Sequence, residues 1–73
     1  MAWVIRVVFP SVPEEGFHGG VLYMKRDENG TWTMQCLPDA TRFELKTEAE
    51  AGLLWLAAQM PHLIGMLDIA EAP

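Results

Sequence analysis

The sequence predicts an α+β domain: a four-stranded, mainly antiparallel sheet with one long and one short C-terminal helix packed on one face, in the order ββββαα. Three observations carry this. In the first part of the chain Trp3, Ile5, Val7 and Phe9 share one face, with Val4, Arg6 and Val8 on the other, and two faces separate again around a Glu28-Asn29-Gly30 turn. That period of two is the signature of half-buried strands. From Thr47 onward the pattern changes to a capped apolar run, Thr47-Glu48-Ala49-Glu50 leading into Leu53 and Leu54, which reads as helix.

Taken in order, residues 2–9 form a strand with a strong apolar side, and Pro10 ends it. Residues at about 10–20 hold Pro10, Pro13, Gly16, Gly19 and Gly20, a composition that predicts a mobile loop. A hairpin follows, and side-chain parity fixes its register. A two-residue Asn29-Gly30 turn sets Met24 opposite Gln35 and mixes the faces. A three-residue loop, with Gly30 left-handed in a bulge, pairs Met24 with Met34 and Leu22 with Cys36 on one side. Pro38-Asp39 then turns the chain into a fourth strand, with Phe43 and Leu45 inward and Arg42, Glu44 and Lys46 outward.

The helix opening at Thr47 should run to about Gln59. Pro61 starts a second, shorter helix over His62 to Ala70 or kinks the first. Within the first helix, Leu53 and Trp55 point to nearly opposite sides at about 100° per residue. Leu53, Leu56 and Met60 suit the sheet. Leu54 and Trp55 then require cover from elsewhere: the second apolar segment through Leu63 and Leu67, another subunit, a partner or lipid.

Composition limits the rest. The chain has 73 residues, is 51% hydrophobic and carries three Trp, five Met and one Cys, so one small domain over residues 1–73 must rest on a dense core or self-association. A single cysteine excludes an internal disulfide, and its inward parity predicts a packed thiol, in keeping with a reducing compartment. The expected location is the cytoplasm. Seventeen uncharged residues separate Glu50 from Asp68, but Gln59, Pro61 and His62 interrupt them and no Lys or Arg flanks them, which argues against a membrane span.

Candidate chemistry is thin. His18 beside Glu14 and Glu15 reads as a solvated loop residue before a catalytic base. Cys36, His18 and His62 have no zinc spacing. Gly16-Phe17-His18-Gly19-Gly20 precedes a strand and lacks the lysine of a phosphate loop. No catalytic residue, cofactor or metal is therefore assigned, and the chain is not expected to be an enzyme.

Charge points to interaction instead. With ten acids against five bases and a net charge of −5, the protein should repel phosphate backbones and attract basic surfaces. Acids cluster at Glu14-Glu15, Asp27-Glu28 and Glu48/Glu50. These residues, with Phe17, Leu54 and Trp55 as apolar anchors, make up the expected partner-binding set. The sheet face away from the helix is expected to gather Arg6, Lys25, Arg42 and Lys46 beside Tyr23, a patch that offers a secondary nucleic-acid reading with one aromatic for stacking.

The segments Gly30-Thr31-Trp32, Ala40-Thr41-Arg42-Phe43 and Thr47-Glu48-Ala49-Glu50-Ala51 leading to Leu54-Trp55 resemble small phage and prophage proteins of the anti-CRISPR kind, over about a third of the chain. The resemblance implies a non-enzymatic inhibitor that occupies a basic surface of a host nucleic-acid-handling protein complex, and it assigns no functional residue. Three other readings stay open: an assembly homodimer joined through the Leu54/Trp55 helix side, a weak nucleic-acid binder on the sheet face, and a small enzyme using His18.

Overall fold

The computed structural model describes residues 1–16 and 18–73 of the chain. It has the expected α+β architecture, a four-stranded antiparallel sheet with a long helix and a short one. The strands are β1 (Trp3–Phe9), β2 (Gly20–Arg26), β3 (Trp32–Gln35) and β4 (Leu67–Glu71), and the long helix is α1 (Lys46–Gln59). Their order across the sheet is β3-β2-β1-β4. The first strand is therefore central, which suits a segment in which Val4, Ile5 and Val7 are all fully buried.

The hairpin register follows parity. Met24 pairs with Met34 and Arg26 with Trp32. Gly30 takes φ 82°, its N–H donates to the Asp27 carbonyl at 3.0 Å, and Asp27 Oδ1 accepts from the N–H groups of Asn29 and Thr31, each at 2.9 Å. This is the three-residue loop with a left-handed glycine. A Cβ on Gly30 would meet nothing within 4 Å, so any penalty there is purely conformational. Gly30→Val is expected to lower stability by on the order of 1–2 kcal/mol, the cost of a side chain in that region. An unshifted urea midpoint would contradict the bulge.

Five expectations are corrected. The pairing of Leu22 with Cys36 does not form, because β3 ends at Gln35 and Cys36 leads into a 3-10 turn over Leu37–Asp39. The thiol is exposed rather than packed.

The fourth strand is not the segment 42–46. There only Phe43 pairs, exchanging backbone hydrogen bonds with Trp3 at 2.7 and 2.8 Å, while Thr41 N–H donates to the Met24 carbonyl. Pairing stops because Glu44 and Leu45 turn directly into α1. Leu45 caps that helix, and its N–H donates to Glu48 Oε1 at 3.2 Å. The cap thus lies before Thr47, and Glu48 rather than Glu50 closes it.

The last segment is not a second α-helix from His62 to Ala70. Pro61–Met66 forms a short 3-10 helix and Leu67–Glu71 becomes β4. Pro61 fits the first turn because it has no N–H to satisfy. Beyond Met66, the alternation of Leu67 and Ile69 with Asp68 and Ala70 matches the open side of β1, where Ile69 pairs with Ile5 and Leu67 with Val7.

The core lies between the sheet and α1. Ile5, Val7, Met24, Phe43, Ala49, Leu56 and Leu63 form one buried cluster, edged by Trp3, Trp32, Leu53 and Met60. At Gly52 the helix comes close to the sheet: a Cβ there would stand 3.1 Å from Ile5 Cδ1 and 3.6 Å from Phe43 Cζ. Ala49, Gly52, Leu53, Leu56 and Met60 recur at helical spacing and form the inward stripe. Ala51, Leu54, Trp55 and Ala58 form a second stripe at the same spacing, and all four are exposed. No helix among the described residues is long and apolar enough to cross a membrane.

Candidate functional site

The helix α1 lies over β1 and β4, so the inner face of the β2–β3 hairpin is only partly covered. Between that hairpin and the near flank of α1 runs an open cleft of about 450 Å³, lined by Arg26, Gly30, Trp32, Phe43, Glu48, Ala51, Gly52 and Trp55. Gly52 contributes by having no side chain, which lets the helix settle low and exposes the rings beside it. Trp32 and Phe43 stack at a centroid distance of 6.4 Å. The Arg26 guanidinium sits 5.4 Å from the Trp32 ring and 5.8 Å from that of Phe43, close enough for cation–π attraction.

Trp55 stands at this cleft with 50% of its surface exposed. The second apolar segment does not cover it, contrary to one of the sequence expectations. Leu63 enters the core and Leu67 pairs with β1, so both serve the sheet side of the helix. Leu54 is 69% exposed but is absent from the cleft lining. One residue of helix is about 100° of rotation, which turns Leu54 away from the hairpin and towards the β4 edge. Leu54 and Trp55 thus lie at opposite margins of the exposed stripe of α1, Trp55 on the hairpin side and Leu54 on the β4 side.

The predicted acids also separate. Glu48 lines the cleft, and the hairpin loop that carries Asp27 and Glu28 reaches it at Gly30. The Asp27 carboxylate is taken up by the loop's own N–H groups, while Glu28 is exposed. Glu50 is exposed on the other flank of α1. Glu14 and Glu15 lie in a 3-10 turn between β1 and β2, at the end of the sheet opposite the hairpin loop. With β2 seven residues long, that is roughly 20 Å away. Phe17, predicted as an apolar anchor, lies outside the described residues.

The expected four-residue basic patch does not assemble on the outer sheet face. Arg6 is there, but it donates to both carboxylate oxygens of Asp68 at 2.7 and 2.5 Å. Hydrogen bonding to Asp68 raises the Arg6 pKa above its ordinary value. With about a third of the Arg6 side chain exposed, the pair adds on the order of 1 kcal/mol at most. Lys46 belongs to α1, where its Nζ sits 5.4 Å from the ring of Trp3, a residue of the inner face. Lys25 and Arg42 remain exposed.

Among the described residues no three His, Cys, Asp or Glu side chains gather closely enough to hold a metal ion. His18, His62 and Cys36 are separately exposed. Sequence reasoning picked out Trp55, Glu28 and Glu48 but missed Arg26 and Trp32 as site residues. The available signal was the hairpin parity itself, which places Arg26 beside Trp32 on the helix side. No protein-family model, curated protein or solved structure matches the chain.

Proposed function

We propose that this chain is a non-enzymatic interaction protein that docks a basic surface of a partner protein on the cleft between α1 and the β2–β3 hairpin. The observation that carries this is Trp55, half exposed beside the ring pair of Trp32 and Phe43. Tryptophan is the residue most enriched among binding anchors, and its large amphipathic ring is seldom left at a cleft without use. Glu28 and Glu48 supply negative charge at the cleft's margin. Arg26, already stacked on the floor, disfavours a second cation at depth, so an apolar group of the partner enters while its basic groups meet the margin. An acidic margin around an apolar centre is the common division between steering and holding.

The narrower reading is a phage-type inhibitor that covers a basic surface of a host nucleic-acid-handling complex, of the anti-CRISPR kind. It is supported by the sequence resemblance and by the net charge of −5. Such complexes hold phosphates with clustered Lys and Arg, and an acidic domain competes for that same surface.

The test is the Trp55→Ala variant against a partner captured from host extract. The variant should fold normally, because the ring is half exposed, yet dissociate faster and bind about 30-fold more weakly, the effect of losing an anchor worth roughly 2 kcal/mol. Glu28→Lys should mainly slow association. A Trp55→Ala protein that binds as tightly as the parent removes the cleft as the docking site. A partner that keeps its full nucleic-acid affinity when saturated with this protein removes the inhibitor reading.

A further inference from the structure

The geometry points to a second copy of this chain as the occupant of the β4 edge, joined by antiparallel β4–β4 pairing with the two α1 helices side by side above the seam. This inference does not depend on the cleft.

The edge is open and built to pair. β4 is the last strand of the sheet; it contains no proline and no lysine, and its guards are limited to its five-residue length and its two acids, Asp68 and Glu71. The direction of its backbone groups follows from the ladder with β1. Ala72 N–H donates to the Ala2 carbonyl at 2.8 Å, and in an antiparallel ladder bonded and non-bonded pairs alternate. Ala70 and Asp68 therefore bond to β1, whereas Ile69 and Glu71 turn their N–H and C=O groups outward. Trp3, the β1 partner of Glu71, agrees, because its own N–H and C=O are spent on Phe43 on the other side.

Two copies related by a two-fold axis at Ile69 fit without conflict. Ile69 exchanges two hydrogen bonds with its counterpart, and each Glu71 N–H donates to the Leu67 carbonyl of the other copy. Across the seam Asp68 faces Ala70, and Leu67 faces Glu71. No two acids stand directly opposed, and Asp68 is held by Arg6. A parallel pairing gives none of this, and a two-fold axis requires the antiparallel one.

The helices supply the second part. Because α1 lies over β1 and β4, the two α1 axes end up about two strand spacings apart, roughly 10 Å, which is the packing distance of helices. Gly52 sits over Ile5, and Ile5 pairs with Ile69, so this turn of α1 stands level with the two-fold axis. Leu54, 69% exposed on the β4 flank, is the apolar side chain this places in the helix–helix seam, together with Glu50 of the same flank, which an axis level with Gly52 sets beside the other copy's Leu54 rather than the other copy's Glu50. Its exposure and the open strand edge are thus covered by one occupant.

Sedimentation equilibrium of the full chain over a wide range of concentration tests the inference. The mass should rise from 8.2 kDa to twice that value. On dimerisation the amides of Ile69 and Glu71 should become protected from exchange, while those of Asp68 and Ala70 are protected in both states. Leu54→Asp, which alters an exposed side chain, and Glu71→Pro, which removes an outward N–H at an edge, should each weaken dimerisation roughly tenfold or more. Trp55→Ala should leave it unchanged, which separates this result from the fate of the cleft. A monomer at every concentration overturns the inference, as does a dimer unaffected by both variants. Protection of Ile69 and Glu71 that appears only when another protein is added would assign the edge to an extended segment of that protein instead.

Discussion

Replacing Leu56 with Ala should lower stability by about 2–5 kcal/mol, the range for emptying a fully buried leucine site. Leu56 is wholly inaccessible and belongs to the same cluster as Ile5, Met24, Phe43 and Leu63, so its removal leaves a void bounded by both the sheet and the 3-10 helix. For a domain of this size each kcal/mol moves the melting temperature by roughly 4–8 °C. The loss should therefore be about 8–40 °C and should occur in a single transition, because one cluster serves the entire domain. Leu54→Ala is the internal control. It changes the same residue type two positions along the same helix, and at concentrations where the chain is monomeric it should stay within about 0.5 kcal/mol of the parent. Equal effects in the two variants would mean that α1 is rotated from the orientation described.

Gly52 gives the second large effect, and its sign depends on the size of the side chain introduced. Alanine there gains about 1 kcal/mol of helix propensity and asks only that Ile5 Cδ1, 3.1 Å from the new Cβ, shift by a few tenths of an ångström. Gly52→Ala should accordingly be neutral to stabilising. Leucine has no such room, with Ile5, Phe43 and Trp32 all within 4 Å of the Cβ position. Gly52→Leu should cost about 1–3 kcal/mol through overpacking, and its side chain should also fill part of the cleft that Gly52 lines. Thermal denaturation of the two variants decides the matter. A Gly52→Leu protein as stable as the parent would show that the helix does not sit low on the sheet.

The contrast between Leu54, Trp55 and Leu56 shows what a linear pattern can and cannot convey. Periodicity sorts the three by direction, and Leu56 is inward as expected. Direction does not say what lies opposite, and the second apolar segment is only one of the covers the sequence offers, beside another subunit, a partner or lipid. That segment had a different use. Its Leu67-Asp68-Ile69-Ala70 alternation is a strand pattern, outweighed in the linear reading by the denser apolar spacing from Leu63 to Met66. The clue that should have tipped it lies far away in the chain. Val4 and Val8 make the first strand apolar on both faces, a sign of a central strand that needs a neighbour on each side.

The hairpin was legible because parity and turn geometry are both local. The loss of the strand at 42–46 was not, since it hinges on where α1 begins. With Leu45 as the still-extended cap and Lys46 already helical, little strand is left to pair, and Phe43 keeps one partner in Trp3 as a remnant. For the site, the acids and Trp55 could be named from the sequence, but their grouping could not. Glu14 and Glu15 look equivalent to Glu28 and Glu48 until the strand directions place them at opposite ends.

The Arg6–Asp68 contact joins residues 62 positions apart in the chain, and around it the last strand lies directly beside the first. During synthesis β1 and the β2–β3 hairpin emerge early, yet β1 keeps one open side until residues 67–71 have left the ribosome. The sheet is thus completed by its most distant pairing, the slow kind, whose loop-closure entropy must be met before its contacts contribute. In that interval Val4, Ile5 and Val7 belong to an apolar strand with one edge unpaired, so the nascent chain is most prone to association with chaperones or with other nascent copies just before β4 arrives.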